Sequence, residues 1–205
     1  MHDVHNAERA HAQNGNMKTG HDPHTALLIT DMVNLFDFEG GRALGAAAVA
    51  IAPRIAALRQ RFDDARAPTL YVNDNFAHWQ GQFSDLISAC RDAGGASADI
   101  VQVLAPRPHD YHVLKPKHSA FLATPLPILL AKLGVRRLVL AGIAADSCVL
   151  ATAQDANMRE FPLWIPKDGV AAISQARSRD ALAVMSRSLH AHVQATRAVT
   201  GVFPS

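Results

Sequence analysis

Cysteine is nearly absent from this sequence: 205 residues hold only Cys90 and Cys148, far apart and without Cys-x-x-Cys spacing. That scarcity excludes a disulfide framework and a cysteine-built zinc site. Long hydrophobic runs are missing too. No uninterrupted apolar stretch reaches the roughly 18 residues that a membrane span needs, and the first residues lack the apolar core of a secretory signal. Nor does one charge dominate, with 20 Lys+Arg against 18 Asp+Glu and no basic-aromatic stripe. Nucleic acid and membrane surfaces are therefore not expected partners, and the cytoplasm, where a free thiol stays reduced, is the expected compartment.

What is present is globular composition, 49% hydrophobic and 19% charged, on a chain long enough for one self-supporting core. Residues 1–24 stand apart. They are polar, without hydrophobic period, and hold His2, His5, His11, His21 and His24, so they read as a flexible His-rich arm. Their irregular spacing, with no accompanying Cys or carboxylate cluster, argues against a metal-binding tract. Residues 25–205 read as one folded domain.

From Thr25 onward, short apolar runs alternate with helical stretches. Strands are expected at 26–31, 69–73, 112–115, 137–143, 163–166 and 195–202. Helices are expected at 43–66, 84–93, 126–133, 148–160 and 177–190. Such alternation means βαβ crossovers, hence an α/β fold of three αβα layers around a mostly parallel six-stranded sheet, Rossmann-like in plan. Ligands in such sheets bind at the carboxyl ends of the strands, which turns the chain into a short list of candidates.

Asp31, Lys115 and Cys148 fall at or just after three of those strand ends. Cys148 opens an apolar helical stretch, where the helix dipole would favour thiolate, although a buried structural cysteine is an equally ordinary fate. Cys90, inside a helix, reads as core. Asp31 could exchange a proton with the thiol, or simply cap the next turn. Lys115 could hold both partners ionised, or be a solvated strand-end lysine; Lys117 and His118 compete for that role, but Pro116 is expected to turn Lys117 away.

Three motifs in order carry a family pattern: Asp31 with Asn34 and Phe36; Lys115-Pro116-Lys117-His118-Ser119-Ala120-Phe121; and Ala141-Gly142-Ile143-Ala144-Ala145-Asp146-Ser147-Cys148-Val149 with Thr152 and Ala156. Across Thr25 to Val202 the chain resembles the isochorismatase-like cysteine hydrolase superfamily. The resemblance implies an Asp31-Lys115-Cys148 triad, a cis peptide between Ile143 and Ala144, and an oxyanion hole from the N–H groups of Ala144 and Cys148. It also implies a thioester intermediate, with Asp31 handling the proton in both half-reactions, no cofactor, and a homo-oligomer, dimer or tetramer.

The pattern departs from the nicotinamidases of that superfamily, whose metal site uses Asp-x-His. Here His78 lies four residues after Asp74 with no second His nearby, so neither a metal nor nicotinamide is expected. Phe36, Asn75, Trp79 and Phe121 are the candidate substrate-binding residues, and no arginine is evidently placed to hold a substrate carboxylate. The presence of Cys148 favours cleavage of a C–N bond in a small amide or carbamoyl compound. A vinyl ether hydrolase led by Asp31, and a catalytically silent binding relative, stay open as alternatives.

Overall fold

The computed structural model describes residues 21–76 and 80–205. The element order is β1 (Thr25–Thr30), α1 (Gly41–Asp64), β2 (Thr69–Asp74), α2 (Phe83–Ala93), α3 (Gly95–Leu104), β3 (Tyr111–Lys115), α4 (Leu126–Lys132), β4 (Arg137–Ile143), α5 (Leu150–Met158), β5 (Leu163–Trp164), β6 (Val170–Ala171) and α6 (Gln175–Ser188). A π-helical turn, Ala145–Val149, joins β4 to α5.

All six strands are parallel, in the order β3-β2-β1-β4-β5, with β6 also on β4. The two short strands share one edge: β5 pairs with the start of β4, at Leu138 and Val139, and β6 with its end, at Gly142 and Ile143. β1 and β4 are buried on both faces, as expected of strands sandwiched between helices. Successive side chains feed opposite cores. Leu27, Ile29, Val139 and Ala141 meet Ile55, Leu58 and Phe62 of α1, while Ala26, Leu28, Leu138 and Leu140 meet Leu126, Ala153 and Met185 of α4, α5 and α6.

α1 is long and apolar enough, by composition alone, to pass for a membrane span. Its apolar stripe faces the sheet instead, and its Arg59 is buried, donating to Tyr71 Oη and to the Val103 and Ala105 carbonyls at the C-terminal end of α3.

Three expectations need correction. The folded domain starts before Thr25: the Asp22 carboxylate pairs with Arg137 at 2.6 Å, and the His24 carbonyl accepts from Arg136 N–H at 2.7 Å. The rest of the expected arm lies outside the described residues. A helix, α3, occupies 95–104, where none was expected, separated from α2 by the left-handed pair Gly94 and Gly95. Finally, 195–202 is no strand. The Thr196 and Val199 carbonyls accept from the Arg61 guanidinium, and Thr196 N–H donates to Asp168, so the backbone groups a ladder would need are spent on side chains. The sixth strand is β6.

Where β1 and β4 diverge, Gly142 has φ +111°, and a Cβ there would sit 2.1 Å from the Thr30 carbonyl oxygen. Gly142→Ala is expected to destabilise the protein by more than about 1 kcal/mol, lowering the thermal midpoint by at least roughly 2–4 °C. An unchanged midpoint in calorimetry would refute this close-approach account.

Candidate active site

The neighbouring strands β1 and β4 are joined to the sheet on opposite sides, so their carboxyl ends open a crevice between the two halves. Asp31 follows β1 directly. Its N–H still donates to the Val72 carbonyl at 3.0 Å, but its backbone turns left-handed, φ 51°, a conformation that Asp tolerates better than most residues. One carboxylate oxygen accepts from Asp74 N–H at 2.6 Å, and the other lies 2.9 Å from Lys115 Nζ. The register that sets Asp74 beside Lys115 across β2 and β3 brings these groups together. Asn73, buried beneath them, exchanges two hydrogen bonds with the Val33 backbone and so fixes the chain leaving Asp31.

Cys148 arrives from β4. The Ile143–Ala144 bond is cis, and the π turn then closes with Val149 N–H donating to the Ala144 carbonyl at 3.1 Å. Single π turns of this kind occur often at functional sites. Sγ lies 3.5 Å from Lys115 Nζ and 3.6 Å from His118 Nδ1. α5 also anchors the segment after β3: Ala120 N–H donates to Thr152 Oγ1 at 3.0 Å, and Ser119 Oγ donates to Asp155. Thus the Lys115–Phe121 and Cys148–Ala156 stretches are one packed unit.

Burial governs the protonation states. It pushes the Asp31 carboxyl above its ordinary value, against the counter-pull of Lys115 and the hydrogen bonds it accepts. Burial also depresses the Lys115 ammonium, but Asp31, Cys148 and Asp74 together outweigh it and carry that group above its ordinary value. The Cys148 thiol is pushed up to about 12, by burial first and by the negative Asp31 second, with Lys115 opposing. This corrects the expectation of a dipole-stabilised resting thiolate. The resting Cys148 side chain is thus a neutral thiol beside a buried carboxyl group.

The triad opens into a cleft of about 580 Å³ that Asn75, Ala144, Phe38, Ile173, His118 and Arg177 help to line. Two expected wall residues are elsewhere. Phe36 packs beneath Gly45 of α1, and Phe121 is buried on the other face, against Phe161 and under the Arg159 guanidinium. Trp79 and His78 lie outside the described residues. Lys117 contributes its backbone to the site: it lines the cleft, and its carbonyl accepts from Lys115 Nζ at 3.1 Å. Arg177 escaped the sequence reading because it follows β6 by six residues, and β6 was not recognised as a strand. The Ser174 hydroxyl caps α6, accepting from Arg177 N–H at 3.2 Å, and the guanidinium reaches Asp146 on the nucleophile turn.

One group with metal-ligand spacing occurs among the described residues, Asp63, His109 and Asp110. It sits at the opposite end of the sheet, before β3, where Asp63 is already paired with Arg107. At the cleft, Asp74 contributes its backbone N–H to Asp31.

Comparison with known proteins gives consistent findings. The family model described as Isochorismatase domain matches residues 25–198. The isochorismatase family protein YaaI of Bacillus subtilis is 40% identical over 168 residues, 82% of this chain and 92% of its own. The ureidoacrylate amidohydrolase RutB of Enterobacter is 29% identical over 163 residues, 67% of this chain and 71% of its own. Among solved structures, N-carbamoylsarcosine amidase from Thermoplasma acidophilum superimposes with a TM-score of 0.64 at 25% identity, over 86% of this chain and 99% of that one.

Asp31→Asn removes the negative charge that holds the thiol protonated and leaves Lys115 in place. The signs add toward thiolate, so iodoacetamide at pH 8 should alkylate Cys148 faster in this variant than in the wild type, while buried Cys90 stays unreacted in both. Site-mapped mass spectrometry reads the outcome. An equal or slower rate at Cys148 would show that Asp31 does not set the thiol's charge.

Proposed function

This chain belongs to the isochorismatase family of hydrolases, and from that premise we propose that it is a cysteine hydrolase cleaving a C–N bond in a small amide or carbamoyl compound. One observation carries the reading: a thiol, an ammonium and a carboxylate from three different strand ends meet within hydrogen-bond reach at the floor of a cleft.

Asp31, as the base, takes the thiol proton while Sγ attacks the carbonyl carbon. Lys115, fixed between Asp31 and Sγ, offsets the negative charge as it passes from carboxylate to sulfur. The N–H groups of Ala144 and Cys148 hold the oxyanion, a role supported by their position at the turn that delivers Sγ. Asp31 then returns its proton to the departing ammonia or amine, leaving a thioester on Cys148 that water hydrolyses. Asn75, on the cleft wall, is the retained candidate for substrate contact. Small amide-like substrates fit this family, and assembly as a homo-oligomer goes with the same reading.

The carboxylate form of Asp31 is the active one, so kcat/KM is expected to rise with pH through an acid limb displaced above the ordinary carboxylate value of 3.8. An ammonia-release screen over amides, ureas and carbamoyl acids should find turnover that Cys148→Ser lowers by at least about 10³-fold. Turnover that survives Cys148→Ser but not Asp31→Asn would overturn the covalent route in favour of acid-led ether cleavage.

A further inference from the structure

Two groups beside Cys148 that can accept a proton differ sharply in access. Asp31 is 4% exposed, and each of its carboxylate oxygens is already engaged, one by Asp74 N–H and one by Lys115 Nζ. His118 approaches the same sulfur from the open side. Its ring is exposed, lines the cleft, and sets Nδ1 3.6 Å from Sγ and 3.3 Å from Ser147 Oγ. Both neighbours can donate a hydrogen to Nδ1, so a neutral ring carrying its own hydrogen on Nε2 satisfies the arrangement.

His118 is also held firmly for an exposed residue. Lys117 before it is tied to Lys115 Nζ through its carbonyl, and Ser119 and Ala120 after it are tied to Asp155 and Thr152 of α5. A loop pinned on both sides presents one imidazole nitrogen to the reacting sulfur.

The geometry points to His118 as the catalytic base of the second half-reaction, activating the water that hydrolyses the acyl-enzyme; this rests on the covalent reading above. Acylation uses the buried side of the sulfur, where Asp31 lies. Once the leaving amine has gone, water enters from solvent and meets His118 first. Nδ1 takes a proton from that water as its oxygen bonds to the acyl carbon. The tetrahedral intermediate collapses, the C–S bond breaks, and the departing sulfur recovers the proton from the imidazolium, giving the free acid and the resting thiol. Ser147 Oγ, within hydrogen-bond reach of Nδ1, keeps the ring turned toward that path. A division of labour follows, with Asp31 serving C–N cleavage and His118 serving C–S cleavage.

The test uses p-nitrophenyl acetate, an activated ester that reports acylation without knowledge of the natural substrate, on the full chain with Cys148→Ala as the background. Wild type should show steady turnover. His118→Ala should release one equivalent of p-nitrophenolate in a burst at the wild-type rate, then turn over at least about 10²-fold more slowly. Acetyl-Cys148 should accumulate by intact-protein mass spectrometry, and added imidazole should restore its hydrolysis. A burst of full amplitude also shows that the variant is folded. His118→Ala turning over like wild type, or losing burst and steady rate together without rescue, would overturn the role of His118 and leave the nucleophile standing. A wild type in which Cys148 never becomes acetylated would overturn the covalent reading itself, and this proposal with it.

Discussion

The contact between Asp31 and Lys115 is the constraint around which the rest is arranged. A carboxylate and an ammonium, 4% and 1% exposed, sit 2.9 Å apart at the ends of strands that are not neighbours. Neither charge could be left there alone: truncating one partner of such a pair costs about 3–5 kcal/mol, a large share of the 5–15 kcal/mol by which domains are stable. The surroundings supply what the pair needs to stay ionised, namely the Asp74 N–H on one carboxylate oxygen and the Lys117 carbonyl on the ammonium. The same burial keeps Cys148 a neutral thiol. The three groups are thus linked through their protons, and no standing thiolate is among them.

The topology explains why three residues so distant in sequence can share that relationship. β1 lies centrally, with β2 and β3 to one side and β4 to the other, so each adjoining strand end contributes one group from its own direction. β4 then needs an abrupt turn to bring sulfur over the carboxylate. Gly142, the cis bond and the π turn provide it within eight residues of one another. α5 runs on from that turn and, through Thr152 and Asp155, also fastens the segment that carries Lys115 and His118. A shift of α5 would therefore move nucleophile and lysine together.

Much of this was legible in the sequence, and for identifiable reasons. The doubly buried strands β1 and β4 announce themselves as apolar runs, and a charged or thiol residue placed directly after such a run has few places to go. Asp31 follows β1 in this way, while Lys115 at the end of the edge strand β3 and Cys148 in the turn after β4 share its end of the sheet. A two-residue strand gives little signal: β5 lies within the expected strand 163–166, but β6 is too short for a period and goes unread, and with it Arg177. Aromatic character misled in the opposite way: Phe36 and Phe121 follow the chemically potent residues closely, yet each turns into a core, because a large apolar ring gains more from burial than from a place on a wet cleft wall. Nor could patterning reveal that burial outweighs the helix dipole at Cys148, since that balance depends on how many layers cover the sulfur.

The π turn at Ala145–Val149 bears on how this scaffold can change. A π turn holds one residue more than the α-helical turn it replaces, and α-helical residues step round the axis by about 100° each. Loss of a single residue from that turn would let the helix run on regularly into β4's exit, with good backbone bonding throughout. It would also swing the thiol by that same angle, away from Lys115 and Asp31. A length change here would therefore leave an otherwise well-formed helix whose sulfur no longer meets Lys115 and Asp31.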